Sequence, residues 1–289
     1  MNAVSQKIER IRSVFLDTQL FFANNPESAA LISYLENTEP AFRSIAYESA
    51  SMAIALKDLE NNDRLDQWLH FANGPASKHK AQVYIGLGWA IAKLNLPFTA
   101  IVASIETALY HRVADGCGYY DGSFRQRHAV QNMQQPVYLP LSAMPIYDQG
   151  LGRSLWYSCN ADIDKIKNKI ESFPAERHAG LWRGIGIAVA YVGGCNDDTL
   201  KILLQYASAN AVQLACGSAL AARSRMQANT MTEDTDRCTR LWYSLTETER
   251  NIFSLEDDGL AAAEKKYLNW IIRIEDGLAK SFEKAVMED

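Results

Sequence analysis

The sequence predicts an all-α protein: a duplicated array of α-hairpins that forms one domain, with a long irregular loop at its centre. Three observations carry this expectation. Apolar residues recur at helical spacing from the first turn onward, as in Val4, Ile8, Ile11 and Phe15, the period of an amphipathic helix. Alternating β-branched runs, the mark of half-buried strands, are almost absent. A small-residue pattern, Gly86-Leu-Gly-Trp-Ala-Ile-Ala92, returns as Gly184-Ile-Gly-Ile-Ala-Val-Ala190, 98 residues later, and self-similarity at a fixed offset marks duplicated supersecondary units.

In chain order, residues 1–45 read as N-terminal helices, with Pro26 and Pro40 opening new periodic segments as proline does in a first helical turn. Residues 46–130 form the first repeat unit and residues 131–228 the second. Pro97 and Pro174 punctuate them, and His79 and His178 stand at matching places upstream of the two small-residue helices. Tyr47-Glu-Ser-Ala-Ser-Met-Ala53 aligns more loosely with Asp148-Gln-Gly-Leu-Gly-Arg-Ser154, and Ala215-Cys-Gly-Ser-Ala-Leu-Ala-Ala222 extends the series. Glycine inside a helix costs about 1 kcal/mol relative to alanine, so something must offset it. Close approach of a neighbouring helix is the simplest compensation; a cavity floor is the other. Residues 229–289 complete the domain with C-terminal helices. Thr246 and Glu249 have capping-box spacing, and a long helix after Asp258 would turn Leu260, Tyr267, Trp270, Ile271 and Ile274 inward and Glu264, Lys265, Lys266 and Arg273 outward.

Composition narrows the functional classes. The chain has 289 residues, 48% of them hydrophobic, enough for a substantial core. Its net charge of −5, with basic residues scattered, argues against a nucleic-acid partner. No apolar stretch approaches the roughly 20 residues needed to span a bilayer, and the N-terminus has no signal-peptide core, so no membrane span and a cytoplasmic location are expected. Cys117, Cys159, Cys195, Cys216 and Cys238 are an odd number without CxxC spacing, which predicts reduced, mostly buried thiols.

Between Arg112 and Tyr147 the helical period breaks down. Asp115-Gly and Asp121-Gly read as turns, Tyr119, Tyr120 and Phe124 add aromatic walls, and Pro136, Pro140 and Pro145 keep the following stretch extended. Irregular connections of this length are commonly functional. Asp148 then stands either as a helix N-cap or as a chemical group.

The candidate catalytic residues are accordingly Glu48, Asp115, Asp121 and Asp148, expected to converge at the junction of the two units. A carboxyl group protonated by burial is a general acid; several ionised together would hold Mg²⁺. No cofactor is otherwise expected, and no metal-ligand spacing such as H-E-x-x-H is present. The candidate substrate-binding residues are Trp89, Arg112, Tyr119, Tyr120, Phe124, Gln149, Arg153, Trp156, Trp182 and Arg183. The arginines, with Arg125, would neutralise the acids within the fold or clamp an anionic group. His111 and His128 flank the loop as alternative bases.

On four motifs, Asp148-Gln-Gly-Leu-Gly-Arg-Ser-Leu-Trp156, Gly86-Leu-Gly-Trp-Ala-Ile-Ala92, Asp115-Gly-Cys-Gly-Tyr-Tyr-Asp-Gly-Ser-Phe124 and Leu181-Trp-Arg-Gly-Ile-Gly186, the chain resembles a bacterial family of unknown function. That family is encoded in some actinobacteria beside enediyne polyketide synthases, and elsewhere in other secondary-metabolite clusters. The resemblance runs from Phe42 to Arg225. Where family members commonly read Asp-Gly-Tyr-Gly-Phe-His-Glu-Gly, this chain has Cys117, Tyr120 and Asp121, so the second acid is shortened. The resemblance implies a biosynthetic context and supplies no catalytic residues. The leading expectation is an enzyme acting on a small apolar polyketide- or isoprenoid-like substrate by acid-initiated cyclisation or isomerisation, with aromatic faces stabilising a developing cation. The alternatives are a non-catalytic scaffold that binds a biosynthetic synthase or a hydrophobic intermediate, and a metal-dependent hydrolase. The DDxxD-type acidic run of metal-dependent terpene cyclases is missing, and Asp197-Asp198 reads as a helix start.

Overall fold

The computed structural model describes residues 2–25, 28–62, 64–105, 109–242, 269 and 271–280; among these there is no strand. The helices are α1 (Ala3–Asn24), α2 (Ser28–Asn37), α3 (Pro40–Asn62), α4 (Asp66–Asn73), α5 (Lys80–Leu94), α6 (Phe98–Val102) and α7 (Tyr110–Phe124). There follow α8 (Met144–Ser158), α9 (Ile163–Glu171), α10 (Ala175–Val192), α11 (Asp197–Ala207), α12 (Ala211–Gln227) and α13 (Glu233–Trp242).

Six long helices, α3, α5, α7, α8, α10 and α12, pack in that order, each against the next. They touch through glycines. The pairs Gly86/Gly88, Gly116/Gly118, Gly150/Gly152 and Gly184/Gly186 each turn the first glycine to the preceding helix and the second to the following one. Gly217 closes the series against Arg183 of α10, and Ser51 of α3 meets Gly86 at its start. From Gly86 the steps are 30 residues to Gly116, 34 to Gly150, 34 to Gly184 and 33 to Gly217. The 98-residue offset therefore spans three structural steps, each a long helix with its connection to the next.

The direction of the long helices follows from the same contacts. Gly118 lies against Tyr147 and Leu151, and Gly122 against Leu151 and Ser154, so α7 and α8 run the same way. Gly180 against Pro145 and Asp148, with Gly184 against Gln149 and Arg153, makes α8 and α10 parallel as well. Parallel neighbours need a return connection, which the short helices α4, α6, α9 and α11 help to provide. The end of the series comes back to its beginning: Arg225 of α12 donates to the Ala41 carbonyl of α3 at 3.2 Å. Residues of all six helices consequently face one central space. Helix α1 lies across them. Its Phe15 rests on Trp89 of α5 with ring centres 4.8 Å apart, its Arg12 donates to the Tyr157 carbonyl at the end of α8, its Gln19 donates to Ser49 of α3, and Lys7 pairs with Asp234 of α13.

Several local expectations need correction. Residues 112–124 are helical, not irregular: they form most of α7, and the irregular connection is confined to Arg125–Ala143, itself containing a π turn at Arg127–Gln131 and a 3₁₀ turn at Leu141–Ala143. Glycine next to aspartate serves helix contact here, with Asp115-Gly116 and Asp121-Gly122 inside the helix. Asp148 is not an N-cap; Pro145 occupies the first turn of α8 and Asp148 is buried one turn further in. Pro40 opens α3, Pro97 and Pro174 precede α6 and α10, and Asp197-Asp198 begins α11 behind the cap Asn196. All five cysteines are free thiols, buried except for the half-buried Cys159. Ile271 and Ile274 are buried and Arg273 exposed, on a helical stretch over 271–280. Pro26, the Thr246–Glu249 capping box, Leu260, Tyr267, Trp270, Glu264, Lys265 and Lys266 lie outside the described residues. Among the described residues no helix is long and apolar enough to cross a membrane.

Candidate functional site

The central space is lined by polar side chains, which is unusual for the middle of a helical array. Glu48 comes from α3, Gln82 from α5, Arg112 and Asp115 from α7, Arg153 from α8 and Tyr191 from α10, with Ile45, Ile85, Ile187 and Leu220 between them. Spacing explains the set: Arg112 and Asp115 are three residues apart on one face of α7, as Ile187 and Tyr191 are four apart on α10. The space left between these groups has room for about one water molecule.

Arg153 is the electrostatic centre. It pairs with Asp115 Oδ1, its Nη2 stands 3.9 Å from Glu48 Oε2, and its guanidinium lies 4.7 Å over the Tyr119 ring. Gln149 donates to the second oxygen of Asp115 at 2.5 Å. Asp115 is thus held from two sides. Glu48 Oε2 is buried and accepts no hydrogen bond. Burial pushes the Glu48 carboxyl up to about 7; the attraction of Arg153 offsets part of this and the Asp115 charge adds to it. Arg153 is held protonated: burial opposes its charge, but Asp115 and Glu48 more than compensate.

An aromatic layer adjoins the ion pair. Tyr119 contacts Trp89 edge to face at 4.9 Å and Tyr157 at 5.5 Å, and Trp89 contacts Tyr120 and Phe124 at 6.0 and 5.8 Å. Phe124 is 65% exposed, so a column of rings leads from Arg153 to the surface beside α1.

Of the four predicted acids, Glu48 and Asp115 meet in the cavity; Asp121 and Asp148 do not line it. Asp121 accepts from Tyr138 and Tyr147 at 2.9 and 3.1 Å and pairs with Arg125, fastening the irregular connection to α7 and α8. Asp148 receives Arg177 through both carboxylate oxygens, and Arg177 also donates to the Met133 carbonyl of the same connection. Burial raises both carboxyl groups, against the pull of these partners. Both are structural ties.

Among the predicted substrate-binding residues, Arg112 and Arg153 line the cavity, Gln149 braces Asp115, and Tyr119 with Trp89 forms the layer beside it. Tyr120 and Phe124 lie at the outer end of the column. Trp156 and Trp182 are buried in helix packing. Arg183 pairs with Glu275, tying α10 to the C-terminal helical stretch. His79 and His178, matched in sequence, differ in their surroundings: His79 bonds Ser44 at 2.9 Å and stacks on Tyr47, whereas His178 meets the Phe173 carbonyl. The sequence does not single out Gln82 and Tyr191; only the α-helical period, four residues before Gly86 and seven after Gly184, relates them to the glycine faces.

Among the described residues no three His, Cys, Asp or Glu side chains are grouped to hold a metal ion. The Arg153 guanidinium stands beside both cavity acids, paired with Asp115 and 3.9 Å from Glu48.

The sign of the pH dependence follows from Glu48. Between its ordinary value of 4.5 and about 7 the folded chain holds a proton that the unfolded chain has released. Stability from this group therefore falls as pH rises through that window and is level above it. His79 acts oppositely: burial lowers it to about 4, so its contribution is lost as pH falls below its ordinary 6.5. Urea unfolding of the unmodified chain and of Glu48→Gln isolates the carboxyl. From pH 5 to pH 8 the unmodified chain is expected to lose on the order of 2 kcal/mol relative to the variant; parallel pH profiles would refute a raised Glu48.

Residues 1–278 match the model of a family described as a protein of unknown function, DUF1702. No curated protein and no solved structure matches the chain.

Proposed function

The chain belongs to the DUF1702 family, and from that premise and its central cavity we propose an enzyme that uses Glu48 as a general acid. The observation that carries this reading is the buried Glu48 carboxyl, pushed up to about 7 and without a hydrogen bond at Oε2. A carboxyl group with a value near the working pH both holds and releases a proton efficiently. The chemistry that fits is acid-initiated isomerisation or cyclisation of an apolar, polyketide- or isoprenoid-like substrate of specialised metabolism. Glu48 gives its proton to a substrate double bond, a carbocation forms on the neighbouring carbon, and the Glu48 carboxylate left behind, with the adjoining Trp89 ring, stabilises it. The Glu48 carboxylate then recovers a proton from an adjacent carbon, so the double bond moves and the carboxyl is regenerated. Asp115 and Arg153 hold the local charge balance while this occurs.

The test replaces the gene in its native host by Glu48→Gln and follows metabolites by mass spectrometry. Loss of a general acid is expected to slow turnover by about 10² to 10⁴-fold, while Asp121→Asn and Asp148→Asn lower only the amount of folded protein. Undiminished product from Glu48→Gln refutes the reading.

A second reading is favoured by the size of the cavity, which holds about one water. In it the helical ring is a scaffold that binds a biosynthetic synthase or a hydrophobic intermediate without turnover. A synthase recovered with the protein, together with full product from Glu48→Gln, would support it.

A further inference from the structure

The cavity has three hydrogen-bonding groups without a partner: two acceptors, Glu48 Oε2 and Gln82 Oε1, and the Tyr191 hydroxyl. Glu48 Oε2 and Gln82 Oε1 are buried, belong to residues only 2% and 4% exposed, and accept no hydrogen bond. They come from adjacent helices and face the same space. A buried acceptor without a donor destabilises by about 1–3 kcal/mol, so the site is built to receive a donor. Two arginines line the cavity, and both are already engaged: Arg153 pairs with Asp115 and stands beside Glu48, and Arg112 has an interaction of its own.

We propose that this cavity is the binding site for a hydroxyl group at the end of an apolar ligand, the hydroxyl taking the place of one water between Glu48 and Gln82. This assignment rests on the enzymatic reading above and deepens it by naming the polar head of the substrate, whose reacting double bond then adjoins the hydroxyl-bearing carbon, within reach of Glu48. Three alternatives fit worse. A phosphate or diphosphate is several times larger than the space. A carboxylate brings a third negative group beside Asp115 and Glu48, and its acceptors satisfy the Tyr191 hydroxyl but neither Glu48 Oε2 nor Gln82 Oε1. An apolar terminus leaves both acceptors unsatisfied. A hydroxyl matches the size, donates to Gln82 or to the ionised carboxylate, and accepts from the Tyr191 hydroxyl or from the protonated carboxyl. The apolar body would lie along the rings next to the cavity, Tyr119 beneath Arg153 and then Trp89, under Phe15 of α1.

Tryptophan fluorescence of the full chain, titrated with 1-dodecanol and separately with dodecanoate, tests the assignment. The alcohol is expected to bind at least ten times more tightly than the acid, and Gln82→Leu to weaken the alcohol about tenfold without changing the helical circular dichroism. Equal or tighter binding of dodecanoate overturns it, as does absence of alcohol binding or a Gln82→Leu protein that is folded and binds as before. If Gln82→Leu does not fold, the comparison of the two ligands on the unmodified chain decides alone. The two proposals fail separately: an alcohol that does not bind, with Glu48→Gln inactive, removes the hydroxyl site and leaves the acid. An alcohol that binds, with Glu48→Gln fully active, removes the acid.

Discussion

Replacing Gly150 by alanine is expected to lower the melting temperature by about 10 °C or more, or to prevent folding. A methyl group at this position would overlap the Asp115 carbonyl oxygen and crowd the Tyr119 amide nitrogen of α7. These are backbone atoms, so no rotamer change relieves the overlap; the two helices must separate. Overpacking in a core commonly costs about 1–3 kcal/mol, and a clash with helix backbone belongs at or beyond about 4 kcal/mol, which a domain of this size shows as roughly 2–4 °C per kcal/mol. The consequence extends beyond stability. Asp115 lies in the cavity and Gly150 sits next to Gln149, which braces it, so moving α8 off α7 moves Arg153 and Gln149 away from the carboxylate. Thermal unfolding by circular dichroism measures the effect, and a variant melting within 2 °C of the unmodified chain would show that the glycine contact is dispensable.

That same contact explains which parts of the molecule were legible in the sequence. Helix content was readable because apolar periodicity is local, and the recurrence of Gly86-x-Gly88 as Gly184-x-Gly186 stood out because both sit in uniformly apolar helices. The intermediate steps at Gly116 and Gly150 carry the same packing role but lie beside Asp115, Asp121 and Asp148. Beside an acid, glycine reads as a turn. With residues 112–124 taken as irregular, nothing separated Asp115 from Asp121. Read as a helix, the step of six residues from one to the other amounts to about 240° of rotation at 3.6 residues per turn, which sends one carboxylate to the cavity and the other to the face covered by Tyr138. Glu48 and Asp115 are legible as candidates because acids among small and aromatic residues are conspicuous. Their joint binding to Arg153, and the return of α12 to α3, depend on how six helices stagger. No local pattern encodes that.

Arg153→Met is the second large effect expected, and it separates the folding role of the site from its chemical one. Arg153 is nearly buried, 8% exposed in its side chain, against an Asp115 side chain that is 0% exposed. Removing it leaves the Asp115 carboxylate in the interior with only the Gln149 amide as a donor, and breaking a buried pair from one side costs about 3–5 kcal/mol. Glu48 also loses the charge that holds its carboxyl down, so it is driven further toward the protonated state. Replacing both members of the pair by apolar residues of similar size is a different perturbation, because no charge is then stranded. Arg153→Met with Asp115→Leu is therefore expected to recover most of the stability lost in the single variant, as measured by urea unfolding. Product formation should stay low in both, because the double variant has an apolar site in which Glu48 keeps its proton too tightly to release it. A single variant within about 1 kcal/mol of the unmodified chain would refute the burial argument. A stable double variant with full product would show that the charged cluster serves helix packing alone.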